Sequence, residues 1–357
     1  MARLIAARRT AVVPRGGAFS RLSLEDLAAP VLQACLADAG LGVDQVDEVI
    51  LSNALGAGGN PARRVALAAG VPDRVAGLTI DRQCAGGLDA ILLARALVDS
   101  GAADVVLAGG AESYSRRPLR LRTDPDGGPP VAYDEAPFTP WPDRDPSMAE
   151  AAEALATRLG ITRARQEAWA TDSHAKALKS DLSAEIVPLL GMTADAFPRR
   201  LSSGLLARAP VVHGSITAAT AAVAADGAAF CLVASDRVAR GRGLAILGGA
   251  TVGGNPVEPG LAPLAAIARI SQGEPLAMAE IMEAYAVQAI AVVEGAGIDP
   301  AIVNRGGGGL ARGHPVGASG AVLAVRLFHG LQEGRGLAAI AAAGGIGTAL
   351  LVAASGA

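Results

Sequence analysis

The chain repeats one pattern at its two ends. Residues 78–113 read as an apolar run, "LTIDRQ", a small-residue turn into "CAGGLDAILLARALVDSGAAD", and a second apolar run, "VVLAGGAES". Residues 301–351 follow the same order: "AIVN", a Gly-rich stretch into "GASGAVLAVRLFHGLQEGRG", and "LAAIAAAGGIGTALL". Strand, tight turn, helix, short loop and strand succeed one another in both, which is a βαβ unit. Two such units predict two similar halves, each an α/β sheet with helices on its faces. The 357 residues leave room for both, at about 150 residues per domain. The 45 glycines and the Ala/Val/Leu tracts predict a core of small residues at close backbone distances, which suits parallel strands covered by helices.

Between the ends the pattern changes. A helix is predicted from about Ser23 to Ala39, where "SLED" offers an N-cap and first-turn acids, and "VDEVILSNAL" then reads as a strand. From about Tyr114 to Thr217 come the Pro-rich "DGGPPVAYDEAPFTPWPDRDP", helical stretches around "MAEAAEALATRLG" and "TRARQEAWATDSHAKALK", and an irregular Pro/Arg segment to Pro210. This reads as an insertion covering the sheet, and loops this long in a compact domain are usually functional. The predicted division is an N-terminal half over 1–240, including the insertion at about 114–217, and a C-terminal half over 241–357.

Several classes of function are disfavoured. A net charge of −3 and 3% aromatic residues lack the clustered cations and stacking rings of nucleic-acid binders. Cys35, Cys84 and Cys231 have no metal spacing and imply no disulfide framework, so no metal site is expected and a reducing cytoplasm fits best. "MARLIAARRT" is basic but lacks an apolar h-region, so no signal peptide is expected. Residues 337–355 are uncharged and long enough to span a bilayer. Their Gly-Gly-Ile-Gly centre instead predicts a buried strand, a turn and a second strand, and no membrane partner.

Cys84 follows an apolar strand and opens a helix in "DRQCAGGLDAILLA". A buried structural thiol is one reading. The other is a nucleophile, because a helix N-terminus offers unpaired N–H groups and a positive dipole end that lower a thiol's pKa. Gly86 and Gly87 allow backbone to approach a bound acyl group, whose oxyanion the same N–H groups could meet. Cys35 and Cys231 lie within apolar periodic segments, where a structural role is expected. Of the four histidines, His174 and His329 sit in helical patterns and His213 precedes a turn. His314, between Gly313 and Pro315 in "NRGGGGLARGHPVGASGA", is the best-placed general base for a Cys nucleophile. The glycines there do not form a G-x-G-x-x-G dinucleotide fingerprint, and no P-loop Lys follows.

These segments resemble the thiolase family. "RQCAGGLDA" is similar to its acylated-cysteine loop, "VVLAGGAESYS" to the strand and turn that follow, and "SMAEAAEALATRLGITRARQEAWATDSHAKA" to its covering helices. "ITAATAAVAADGAA" resembles the Thr-Ala-Gly-Asn-Ala-Ser stretch, "NRGGGGLARGHPVGASGA" the Gly-His-Pro loop, and "AAAGGIGTALL" the last catalytic loop. The resemblance implies the thiolase fold: two βαβαβαββ halves in five αβαβα layers, with an inserted loop domain that binds coenzyme A. It implies an acyltransferase of fatty-acid or ketone metabolism, with an acyl-CoA as substrate and no permanently bound cofactor. A homodimer or homotetramer is implied, possible partner subunits included.

Four loops carry the family's chemistry, and this chain departs from two of them. Cys84 and His314 are present. The Asn of the Asn-Glu-Ala-Phe loop, which holds a water against an enolate oxygen, is replaced by Met282 in "MEAYA", and the second Cys, which moves the Cα proton, by Ala341. Gly86 stands for the usual Ser two past the nucleophile, and Ala222 for a Ser beside the pantetheine. The resemblance assigns Ser147, Met148, Ala218, Ala222, Ala284 and Tyr285 to the substrate channel, Ser147 replacing a His, and Arg199 with Ser203 to the phosphate end of coenzyme A. An Arg199–Arg200 pair in a Pro-flanked loop is equally a solvated face. Three activities follow as expectations: acyl transfer through Cys84 with ordinary thiolysis or Claisen condensation impaired, a coenzyme A-binding scaffold subunit, or retro-aldol or decarboxylative chemistry on a thioester.

Overall fold

The computed structural model describes every residue except Ala57, Gln272 and 355–357. Its first half contains β1 (Ala2–Arg9), a short β2 (Val13–Pro14), α1 (Leu24–Ala39), β3 (Glu48–Ser52), α2 (Pro61–Ala68), β4 (Leu78–Ile80), α3 (Gly86–Asp99) and β5 (Val105–Glu112). An insertion follows, with a hairpin of β6 (Arg120–Arg122) and β7 (Val131–Tyr133), then α4 (Met148–Leu159), α5 (Arg163–Lys179) and α6 (Ser203–Ala207), and a second hairpin of β8 (Val211–His213) and β9 (Ile216–Thr217). The chain re-enters the core as β10 (Ala225–Ser235) and turns through α7 (Asp236–Ala239). The second half is β11 (Leu244–Gly253), α8 (Ala262–Ile270), β12 (Met278–Ile281), α9 (Ala286–Gly295), α10 (Gly309–Arg312), α11 (Val316–Gly330), β13 (Arg335–Ala342) and β14 (Ile346–Ala353).

Strand order explains the repeat. The first half runs β4-β3-β5-β10-β1 and the second β12-β13-β14-β11. The two join where Arg3 and Leu4 of β1 pair with Ala245 and Leu244 of β11. In β5, "VVLAGGAE" is buried at every residue, the unbroken small and branched run expected of a strand covered on both faces. It lies parallel to β3 and antiparallel to β10. The predicted strand over "AIVN" shrinks to one bridge, Val303 pairing with Ala279. The strand read across "VDEVILSNAL" ends at Ser52, and Asn53 just beyond it donates its side-chain amide to Ala111 O and Glu112.

Three apolar clusters separate five layers. Leu27, Val31 and Leu32 of α1 cover one face of the first sheet against Leu107 and Phe230. Between the sheets, Leu88 and Ile91 of α3 and Leu323 and Leu327 of α11 pack with Ile340 and Leu350. Ala266, Ile267, Val292 and Val293 of α8 and α9 cover the far face of the second sheet against Leu337 and Ala349. The order is therefore αβαβα, with α3 and α11 as the middle layer. At the start of α1, Ser23 accepts from the Asp26 N–H while Asp26 accepts from the Ser23 N–H, a reciprocal cap of about 1 kcal/mol. The last segment is the strand–turn–strand expected of it, with Gly344 and Gly345 at φ of 76° and 77° between β13 and β14. No described helix is long and apolar enough to cross a membrane.

A buried ionic network ties the insertion to both halves. Arg9 of β1 bonds Glu185 and Asp195, each at 2.6 Å. Glu185 also meets Arg326 of α11 at 2.6 Å, and Glu280 of β12 lies 3.9 Å from both Arg326 and Arg312. The surrounding guanidinium groups outweigh desolvation and hold Glu185 down at about 2, whereas burial raises Glu280 to about 7. A second tie runs through Glu283, whose carboxylate accepts from Trp169 and Ser173 of α5 and from Asn304.

Candidate active site

Cys84 sits in a tight turn, Gln83–Ala85, between β4 and the first residue of α3. Gln83 takes φ +48°, a left-handed conformation that costs a non-glycine residue about 1 kcal/mol or more. Its N–H donates to the Asp81 carboxylate at 2.9 Å, which holds the turn. His314 occupies the corresponding place ahead of α11. Gly313, at φ 113°, admits a turn there, and the His314 N–H is fixed to Val223 O at 2.8 Å. The two turns bring His314 Nε2 to 3.1 Å from Cys84 Sγ.

The far side of the imidazole is also fixed. Ser319 Oγ lies 2.6 Å from His314 Nδ1 and donates to Pro315 O at 3.1 Å. With its proton directed at the carbonyl, the hydroxyl accepts from Nδ1–H. That assigns the neutral tautomer whose Nε2 lone pair faces the thiol.

Electrostatics correct one expectation. The helix N-terminus was expected to lower the Cys84 pKa; instead, burial pushes the thiol up to about 12. The N–H groups of Cys84 and Ala343 pull it the other way, but loss of water around the sulfur outweighs them, and the nearby Glu112 adds to the rise. Burial likewise lowers His314 to about 4. Both shifts, caused by burial, favour a neutral thiol beside a neutral imidazole over an ion pair. Glu112 is itself raised to about 7 by burial, although it accepts from the N–H groups of Gly317, Ala54 and Leu55. Cys35 and Cys231 are fully buried, and neither lies at this site.

Cys84 and His314 open onto a cavity of about 160 Å³. Met148, Ala222, Ala284, Tyr285 and Ala341, all singled out from the sequence, line it. Met282 does not: it is 2% exposed, belongs to the core between the sheets, and lines a separate small void of about 10 Å³ with Gly309, Ser319 and Val322. Arg199 and Ala218 line a separate groove of about 210 Å³ with Leu205 and Arg208. There the Arg199 guanidinium lies 3.9 Å over the Phe197 ring. Ser203 is an exposed residue of α6. Ser147 caps α4, accepting from the Glu150 N–H, and is exposed. Where Gly86 stands, a side chain would collide with Ser52.

The sequence reading missed Ser319, Ala343 and Gln288. Ser319 was visible five residues after His314 at a helix start. The N–H of Ala343 was visible only as the residue before the Gly344–Gly345 turn. Gln288, in the first turn of α9, carried no sequence signal. Chemically, the arrangement combines a thiol, a base with a fixed tautomer, and two backbone donors beside the sulfur, the components needed for acyl transfer.

Comparison with known proteins accords with this geometry. Residues 2–237 match the thiolase N-terminal domain and 244–354 the thiolase C-terminal domain. The chain is 38% identical to "Putative acetyl-CoA C-acetyltransferase YhfS" of Bacillus subtilis, over 98% of each chain. It is 34% identical to "Putative acetyl-CoA C-acetyltransferase VraB" of Staphylococcus aureus, again over 98% of each. Among solved structures, the Bacillus anthracis acetyl-CoA acetyltransferase superposes with TM-score 0.90 at 33% identity, covering 99% of this chain and 98% of that one. The Acat5 thiolase from Ascaris suum, solved in complex with coenzyme A, superposes with TM-score 0.92 at 28% identity, covering 99% of both. Two domain matches spanning nearly the whole chain, and relatives matched end to end, lead to one conclusion: the chain belongs to the thiolase family.

Proposed function

We propose that this protein is an acyltransferase that takes an acyl group from a coenzyme A thioester onto Cys84. The observation that carries the proposal is the 3.1 Å approach of His314 Nε2 to Cys84 Sγ at the wall of a cavity. His314 accepts the thiol proton as Sγ attacks the thioester carbonyl. The N–H groups of Cys84 and Ala343 meet the oxygen as charge develops on it. The C–S bond to coenzyme A then breaks, and the proton on Nε2 passes to the departing thiolate. The relatives' names and the coenzyme A in the Ascaris structure support the choice of donor. We assign the phosphate end of coenzyme A to the groove beside Arg199 and Arg208.

Carbon–carbon chemistry is a separate matter. Deprotonating Cα and holding an enolate need a second proton carrier and a polar group at the places of Ala341 and Met282. Neither side chain titrates or hydrogen-bonds, and Met282 is packed away from the cavity. The absence of one general acid or base lowers a rate by about 10²–10⁴. We therefore propose that acyl exchange outpaces thiolysis of 3-oxoacyl-CoA. Intact-protein mass spectrometry after incubation with short acyl-CoAs tests the first step: an adduct is expected on the wild type and not on Cys84→Ala. Persistence of the adduct in that variant, or its absence from the wild type, overturns the assignment.

A further inference from the structure

Asp89 is a carboxylate that the acyl-transfer steps above leave unused. It stands in the first turn of α3, the helix that begins beside Cys84, and is only 4% exposed. A carboxylate out of water is costly unless donors meet it, and burial does raise the Asp89 pKa. The donors come from the other half of the molecule. Thr348 of β14 donates its hydroxyl to Asp89 Oδ1 at 2.9 Å, and Thr251 of β11 donates to the same oxygen. The two threonines are cross-strand neighbours in the second sheet, with 3.1 Å between their hydroxyl oxygens. Oδ2 makes no hydrogen bond and faces Nε of the half-exposed Arg82 at 3.3 Å. One turn along α3, Leu92 seats on Gly249 of β11, where a Cβ would stand 2.1 Å from Leu92 Cδ2. Side chains at i and i+3 share a helix face and those at i and i+2 a strand face, so α3 meets β11 along one line, with the polar contact at the end nearer Cys84.

The hairpin that carries Thr348 also carries Ala343. Thr348 pairs with Ile340 of β13, and the next pair along is Gly347 with Ala341, which lines the Cys84 cavity. Ala343 lies in the turn between the two strands, and its N–H reaches the Cys84 sulfur. Of the two donors assigned to the developing oxygen, the Cys84 N–H therefore belongs to the first half and the Ala343 N–H to the second. Both must come within about 2.7–3.1 Å of one oxygen, so the seat of α3 on the β13–β14 hairpin sets the width of that site. We infer that Asp89 is a positioning residue which, through Thr251 and Thr348, locks the Cys84 turn to the hairpin of Ala343 and fixes the gap between the two donors. This rests on the acyl-transfer reading above and adds to it a residue that is not among those lining the cavity.

The test follows acylation of Cys84 by rapid-quench mass spectrometry over a range of acetyl-CoA concentrations. Asp89→Ala should lower the maximal rate by about 10²-fold, the loss expected when reacting groups move by about 1 Å, with the half-saturating concentration little changed. Asp89→Asn keeps an oxygen for both hydroxyls and should recover most of that loss. Thr348→Val removes one donor and leaves Thr251 in place, so a smaller loss of about tenfold is expected; it carries the test if thermal melts show Asp89→Ala unfolded. Alkylation of Cys84 by iodoacetamide at a fixed alkaline pH gives a reading that needs no acyl transfer. The Ala343 N–H lowers the thiol's pKa, so a hairpin that has drifted off the sulfur slows alkylation, whereas loss of a negative charge alone would speed it. Wild-type acylation rates in Asp89→Ala and Thr348→Val, a loss confined to the half-saturating concentration, or faster alkylation of Asp89→Ala overturns the inference. So does a folded Asp89→Asn as slow as Asp89→Ala. A wild type that takes no acyl group bears instead on the acyl-transfer reading, and alkylation then decides the role of Asp89 alone.

Discussion

Gly87 of α3 lies against Ala321 of α11 with no room for a side chain: a Cβ at Gly87 would stand 2.5 Å from the Ala321 nitrogen and 3.1 Å from Gly317 O. The fit is reciprocal, since a Cβ at Gly320 would stand 2.5 Å from the Leu88 nitrogen. The helices that begin beside Cys84 and His314 therefore meet backbone to backbone. Gly87→Ala forces them apart, and displacing reacting groups by about 1 Å costs about 10²-fold in rate. Acylation of Cys84 should fall by that order, with about 1–3 kcal/mol lost from unfolding stability through overpacking. A variant that acylates at the wild-type rate would show that helix contact does not set the distance.

Ser319 acts through His314 rather than on substrate. Ser319→Ala removes the acceptor at 2.6 Å from Nδ1 and lets the imidazole take either tautomer. The expected outcome in steady-state kinetics is a loss of about tenfold in kcat with little change in KM for the acyl-CoA. A change confined to KM counts against a positioning role.

The shifts of Cys84 and His314 fix the sign of the pH dependence. With the thiol at about 12 and the imidazole at about 4, the free enzyme holds little thiolate at neutral pH. Alkylation of Cys84 by iodoacetamide should be slower than that of free cysteine at pH 7. It should keep rising above about 8.5, where a free thiol levels off. The folded chain retains a proton that the unfolded chain gives up, so the thiol's contribution to stability is complete below about 8.5 and lost as pH rises toward 12. Subtracting the denaturation curve of Cys84→Ala isolates that loss. A plateau in alkylation near neutrality would instead mean a thiolate–imidazolium pair.

Ala341 can be given back a proton carrier, because it lines the cavity beside Cys84. Ala341→Cys is expected to raise thiolysis of 3-oxobutyryl-CoA by about 10²-fold or more. Met282→Asn should not add to this. It places an amide in the core between the sheets, at about 1–3 kcal/mol of stability. Coupled spectrophotometric assay of both variants separates the two positions, and a wild type already as fast as Ala341→Cys would contradict the acyl-exchange proposal.

How much was legible in the sequence depended on whether a feature is local. The two halves could be read because strand, small turn and helix recur in both the 78–113 and 301–351 segments, and Cys84 and His314 because glycines punctuate the turns that present them. Met148, Ala222, Ala284, Tyr285 and Ala341, singled out through the family resemblance, line the cavity. The thiol's pKa was misread because a helix N-terminus is visible in sequence whereas the burial that strips water from the sulfur, and the charge of Glu112 beside it, are not. Ser147 shows the same limit. Its position in the motif suggested a channel wall, but a Ser three residues before Glu150 is also a capping box, and the cap is what forms. The strand over "AIVN" depended on a neighbour, and only Val303 found one.

The buried network around Glu185 bears on how a substrate reaches Cys84. Swinging the insertion away as a lid would strip Arg9 of both its acids and Arg326 of Glu185, stranding full charges where water is absent. Breaking such a pair costs about 3–5 kcal/mol, and the Glu283 tie to Trp169 and Ser173 would have to open as well. The covering helices are in effect riveted to the layers they cover, so on the acyl-transfer proposal a long thioester threads in tail first past a standing wall. The width of that passage is then set by side chains such as Met148, which line it, without any rigid body moving.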